Sequence, residues 1–191
     1  MSRAENHIVR LTFWQTILSV VGILVALLAL YAALNESAAV RQQTAAAVWP
    51  FVQLTIADFD TGEAAGFSIG FTNAGVGPAK VGDVMVSIDG KPAPDWRALV
   101  GLVGGDAGAM VSRNFISDRV LRPDETVEII ATMDVPLARR LITAIREPGN
   151  YIAFCYCSIF DDCWLADSRK NLQAPEPVEM CPDYGDVAYR N

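Results

Sequence analysis

The residues best placed to do chemistry are four cysteines in the last fifth of the chain, Cys155, Cys157, Cys163 and Cys181, spaced C-x-C-x5-C-x17-C. An even number of cysteines in a small exported domain reads as a disulfide framework, and four cysteines allow three pairings. Cys155 and Cys157 sit two apart, so on a strand they point to one face and are too constrained to bond each other. Cys157 and Cys163 stand across a five-residue connection and can face one another. The expected pairs are Cys157 with Cys163, and Cys155 with Cys181, the second stapling the tail to a hairpin. A four-thiolate zinc site is the rival, but the spacing lacks the paired C-x2-C knuckles that wrap a tetrahedral metal. A catalytic thiol pair fits less well still, because redox motifs place C-x-x-C at a helix start and this is C-x-C in a strand.

The single histidine, His7, lies on the other side of an apolar segment from the rest of the chain. Ser-His-Asp catalysis, Cys-His catalysis and histidine-containing metal sites are therefore excluded beyond that segment. Asp58, Asp60 and Glu63 imitate the opening of a calcium loop, yet Ile69 stands where the bidentate Glu belongs, so an acidic turn is expected. Asp161 and Asp162 are neighbours on a tight turn, where acidic residues serve the turn itself. Gly101, Gly104, Gly105 and Gly108 precede no Gly-Lys-Ser/Thr and match no phosphate loop. Arg139, Arg140 and Arg146 form a basic helix face that could meet an anionic partner or simply be solvated. No catalytic residue, metal or cofactor is expected.

The elements that would hold these residues follow from hydropathy. Residues 11–35 contain no Asp, Glu, Lys or Arg and, as a helix, span roughly 37 Å, more than the ~30 Å of a bilayer core. Trp14 and Tyr31 place an amphipathic ring near each end of that run. Ser37-Ala38-Ala39 would suit a signal peptidase, but the apolar stretch exceeds a signal h-region of ~7–15 residues, which favours an uncleaved anchor. Arg3 and Arg10 precede the span and only Arg41 follows it before Lys80, so the positive-inside bias puts the N-terminus in the cytoplasm. The remainder then faces outward, into the periplasm of a Gram-negative host. Within the anchor, Ser19, Gly22, Ala26, Ala29 and Ala33 share one helical stripe, a seam through which a second helix could approach closely.

Residues 36–48 are helix formers without Gly or Pro and continue the anchor as a stalk, which Trp49-Pro50 ends. From Phe51 the period becomes two: Val52, Leu54, Ile56; then Phe67, Ile69, Phe71; then Val84, Val86, Ile88; and later Val127, Ile129, Ala131. Short helices are expected over 95–103 and, capped by Asp134, up to Glu147, with Leu137, Leu141, Ala144 and Ile145 on its apolar face. Residues 151–158 and 163–166 read as a hairpin. The expected organisation is a cytoplasmic tail (1–10), a transmembrane helix (11–35), a helical stalk (36–48), a β-sandwich domain (49–170) and an irregular C-terminal tail (171–191).

Trp49-Pro50-Phe51, the strand Phe67 to Phe71, the motif Asn73-x-Gly75-x-Gly77-Pro78-Ala79 and the closing aromatic hairpin together resemble bacterial single-pass membrane proteins that carry an immunoglobulin-like β-sandwich. The resemblance implies a mainly β, immunoglobulin-like fold behind a transmembrane helix, and no known activity.

Residues 49–191 carry 20 acidic and 12 basic side chains, a charge repelled by nucleic acid, which is excluded as a partner. The lipid bilayer is the expected partner of the anchor, with a second copy or another membrane protein beside it. The expected role is that of an accessory, scaffolding or sensing protein acting through protein contacts. The alternatives are a glycan or small-ligand module using Trp96, Trp164, Tyr184 and Tyr189, and a thiol-based redox factor.

Overall fold

The computed structural model describes residues 3–190, without the side chains of residues 3–9, 38 and 39. Met1, Ser2 and Asn191, assigned above to the two tails, lie outside the described residues, as do the side chains of Arg3, His7, Ala38 and Ala39. The chain divides into two units, Met1–Ala46 and Ala47–Asn191.

In the first unit, anchor and stalk are one helix, α1 (Arg3–Ala47), 45 residues without a break. Ala and Leu dominate it, and Gly22 is its single glycine, so propensity favours continuity. The hydroxyls of Thr16 and Thr44 donate to the carbonyls of Thr12 and Val40 at 2.9 Å, which removes them from the apolar surface. Near the N-terminus, α1 is long and apolar enough to cross a membrane. Ser19, Gly22, Ala26, Ala29 and Ala33 are all exposed along it, as are Trp14 and Tyr31.

The second unit holds two antiparallel sheets. One is formed by β1 (Val52–Asp60), β2 (Ala65–Asn73), β7 (Thr126–Thr132) and β5 (Ser112–Arg113), side by side in that order. The other runs β10 (Glu176–Val178), β9 (Cys163–Asp167), β8 (Tyr151–Cys157), β3 (Ala79–Ile88) and β4 (Lys91–Pro92), with β6 (Val120–Leu121) on the start of β3. Two helices complete the unit, α2 (Trp96–Leu102) and α3 (Val135–Arg146), the latter crossing from β7 to β8. The described residues thus contain ten strands and a long N-terminal helix, so the chain as a whole is mixed and only the second unit is mainly β.

The inner faces of the sheets meet through aromatic rings. Phe71 of the first sheet packs edge-on against Phe154 of the second, with centroids 4.9 Å apart. Phe154 stacks on Tyr156, Tyr156 on Trp164, and Trp164 meets Trp49, which stacks on Phe51. Each such pair adds about 0.5–1.5 kcal/mol beyond the area it buries. Burial pushes the Tyr156 hydroxyl up to about 12 against the opposing pull of the Val52 backbone.

Three details depart from the sequence reading. In β7, Ile69 pairs with Ile130 but Gly70 pairs with Glu128, so Ile129 is an extra residue, a bulge. Beyond it Ile130 and Thr132 face inward, and Ala131 turns outward rather than sharing the face of Val127. On α3, capped by the Asp134 carboxylate accepting from Leu137 N–H at 3.0 Å, the buried residues include Ala138 and Ile142 while Ala144 and Ile145 are half-exposed. The C-terminal tail is not irregular throughout. It adds β10 beside β9 and a 3-10 turn at Gly185–Val187, and it carries Tyr189 into the core at 1 % exposure.

Candidate functional site

Register across the first sheet creates a site that periodicity alone does not show. Ala57 pairs with Ser68, Ser68 with Ala131, and Ala131 with Ser112. Four small side chains therefore lie in one row on the outward face, over β1, β2, β7 and β5. The β7 bulge makes this row, because without it Ile130 would occupy the place of Ala131. In the next row Phe59 pairs with Gly66, and its ring lies across that glycine, where any Cβ would also meet the Met133 sulfur. Sulfur beside an aromatic edge is a favourable contact. On the far side of the small row stand Gly70 and Glu128. Thr132 Oγ1 donates to the Met110 carbonyl at 2.8 Å and ties residues 110–112 to β7 as a wall.

Apart from Gly70, the residues of these rows line an apolar groove of about 780 Å3. Its rim is strongly exposed: Met110 84 %, Met133 75 % and Phe59 44 %. Two carboxylates border it. Asp58 is held by Arg146 at 2.7 Å, whereas Glu128 makes no ion pair among the described residues. The groove's part of this sheet face offers mostly small and apolar side chains and one carboxylate without an ion pair, and exposed apolar patches mark interaction sites.

On the outward face of the other sheet, Cys155 and Cys181 stand at disulfide distance with Cα atoms 5.5 Å apart, and Cys157 and Cys163, paired in register, with Cα atoms 4.0 Å apart. These are the two pairs expected from spacing. Cys155 is fully buried, whereas Cys157 and Cys181 are half-exposed. The two bonds touch: Cys157 Sγ lies 3.5 Å from Cys181 Sγ. Cys157, Cys163 and Cys181 are also the trio of potential metal ligands found among the described residues, with sulfurs within 4.8 Å of one another. As disulfides they have no thiolate to give, so metal would require prior reduction.

The other candidates are dispersed. Arg139 Nε donates to Asp60 at 2.9 Å and its Nη2 to the Gly62 carbonyl at 2.7 Å, while Arg146 is occupied by Asp58. Both arginines thus tie α3 to β1, and the Arg139 guanidinium holds the Asp60 carboxyl below the usual carboxylate range. Arg140 is exposed beside a smaller cavity of about 390 Å3. Asp60 also accepts from Gly62 N–H at 2.9 Å, an acidic turn rather than a calcium loop. The four rings do not line a common concavity: Tyr189 is buried, Trp164 stacks on Tyr156, and Trp96 lies beneath the guanidinium groups of Arg97 and Arg113. Asp161 pairs with Lys80.

The groove residues Ala57, Phe59, Gly66, Ser68, Met110, Glu128, Ala131 and Met133 were not legible as a group in the sequence. The signal that could have found them is a run of small outward residues next to exposed Phe and Met, which becomes visible once strand register is known. No protein-family model, no curated protein and no solved structure matches the chain.

Proposed function

We propose that the chain is a single-pass protein of the cytoplasmic membrane, with its N-terminus inside and an immunoglobulin-like sandwich outside, serving as an accessory, scaffolding or sensing subunit that binds a partner protein in the apolar groove. The anchor reading is supported by the length and apolarity of α1. The outward orientation is supported by the two cysteine pairs, since disulfides persist in oxidising compartments. Strand orders β1-β2-β7-β5 and β9-β8-β3 follow the A-B-E-D and G-F-C orders of immunoglobulin domains, which supports that fold. Within the bilayer, the seam from Ser19 to Ala33 is where a partner's helix, or that of a second copy, would pack.

The observation that carries the functional reading is the groove's combination of an uncharged floor and the unpaired Glu128. Charge complementarity selects the occupant: an apolar segment of another protein bearing a Lys or Arg to meet Glu128. A second copy fits the groove poorly, because both surfaces would bring the same acidic excess.

A photo-crosslinking residue at Ser112, introduced into the full chain in its native membranes, tests this. The expected result is an adduct that maps to an apolar, Lys- or Arg-bearing segment, disappears with Ala131→Arg and weakens with Glu128→Lys. A strictly uncrosslinked monomer, or an adduct indifferent to both substitutions, overturns the reading. Labelling with a membrane-impermeant thiol reagent before and after reduction tests the sidedness separately.

A further inference from the structure

We propose that the two disulfides constitute one thiol-exchange centre, a site that accepts a dithiol as substrate and relays its attack from Cys157 to the neighbouring Cys155–Cys181 bond. This rests on the 3.5 Å contact between Cys157 Sγ and Cys181 Sγ, both half-exposed, and it is independent of the groove. Each bond has one buried end, Cys155 or Cys163, and one half-exposed end, Cys181 or Cys157, and the two half-exposed sulfurs are the ones in contact. Cys157 is half-exposed and already in van der Waals contact with Cys181.

The chemistry balances in two steps. A dithiol, at a partner protein's surface or free in solution, reduces the Cys157–Cys163 bond: its two sulfurs become a disulfide and Cys157 and Cys163 become thiols. Cys157, once deprotonated, attacks Cys181 Sγ; the Cys157–Cys181 bond forms, the Cys155–Cys181 bond breaks, and the electron pair leaves with Cys155, which takes up a proton. The second step is an exchange with no net oxidation or reduction. Its result is that the staple moves by two residues along one face of β8. The tail stays attached, now with free thiols at Cys155 and Cys163. Cys181 packs over Gly82 on β3, its Cβ 3.3 Å from where a Cβ of residue 82 would stand.

The full chain in detergent, treated with sub-stoichiometric dithiothreitol, acid-quenched and mapped by mass spectrometry, tests the proposal. The expected species contains a Cys157–Cys181 linkage with Cys155 and Cys163 alkylated, appearing over minutes to hours. Retention of Cys155–Cys181 with Cys157 and Cys163 alkylated overturns it, as does simultaneous opening of both bonds without the new linkage. Should dithiothreitol reduce neither bond, Cys163→Ser provides a Cys157 thiol without any reductant. That variant is expected to hold both Cys155–Cys181 and Cys157–Cys181 species, and exclusive Cys155–Cys181 pairing refutes the relay. Comparing dithiothreitol with a reduced thioredoxin-type protein separates a free dithiol from a protein dithiol as the entering group.

Discussion

The side-chain amide of Asn73 donates to the carbonyl of Gly77 at 2.8 Å, closing a knot at the end of β2. The same NH2 donates to the Leu121 carbonyl at 3.1 Å, and the side-chain oxygen accepts from Phe51 N–H at 3.2 Å and Gly75 N–H at 3.1 Å. All four capacities of a fully buried amide are used, and through them β2, the β6 segment and the entry to β1 are fixed together. Asn73→Ala is expected to cost about 3 kcal/mol, since the partners lose their bonds in a place water does not reach. Urea denaturation of the full chain in detergent measures it.

Gly77 is buried where the chain entering β1 crosses, and a Cβ there would land on the Val48 carbonyl. The obstacle is backbone rather than a pliable side-chain end. Gly77→Ala is therefore expected to lose more than about 4 kcal/mol, while Gly90→Ala, with open space at its Cβ, strains only its positive-φ turn and costs less. Comparing the two thermal midpoints checks the contrast.

Tyr189 fills the core at 1 % exposure, and its N–H donates to the Val84 carbonyl at 2.7 Å, which ties the tail to β3. Tyr189→Ala is expected to destabilise the unit by about 3–5 kcal/mol. Protease sensitivity after residue 170 should rise with it, read by limited proteolysis.

Glu125 accepts from the Arg122 backbone N–H and from the side chains of Arg119 and Arg122, which hold its carboxyl at about 2 instead of the ordinary 4.5. A lowered folded-state value means the contribution is complete above about 4.5 and is lost as pH falls toward 2. The midpoint difference between wild type and Glu125→Gln should be largest at neutral pH and vanish near pH 2, followed by circular dichroism across that range.

Much of the scaffold was legible because local rules and tertiary packing agree. Val52, Phe67 and Val84 fall on inward faces at period two, Asp134 caps its helix, and the cysteine spacing selects the pairs at bonding distance. The Asn-x-Gly-x-Gly motif was legible as a motif but not as the Asn73 knot, which depends on Leu121, distant in sequence. Ala131 was assigned to the wrong face because a bulge is one extra residue with no composition of its own. β4, β5 and β6 are two residues each, too short for any period to register, and β10 contains Pro177. The groove was hidden for the same reason. It is a relation among four strands, and no single strand announces it.

The embedding of Tyr189 beside strands that begin at Val52 sets an order on biogenesis. Until residue 157 has been synthesised β3 lacks its β8 neighbour, and until Tyr189 follows the core lacks that ring. The nascent segment must therefore travel as an uncollapsed chain with Phe67, Phe71 and Val84 uncovered. Closure of the core therefore comes late in synthesis, and apolar strands left open before it are prone to aggregation.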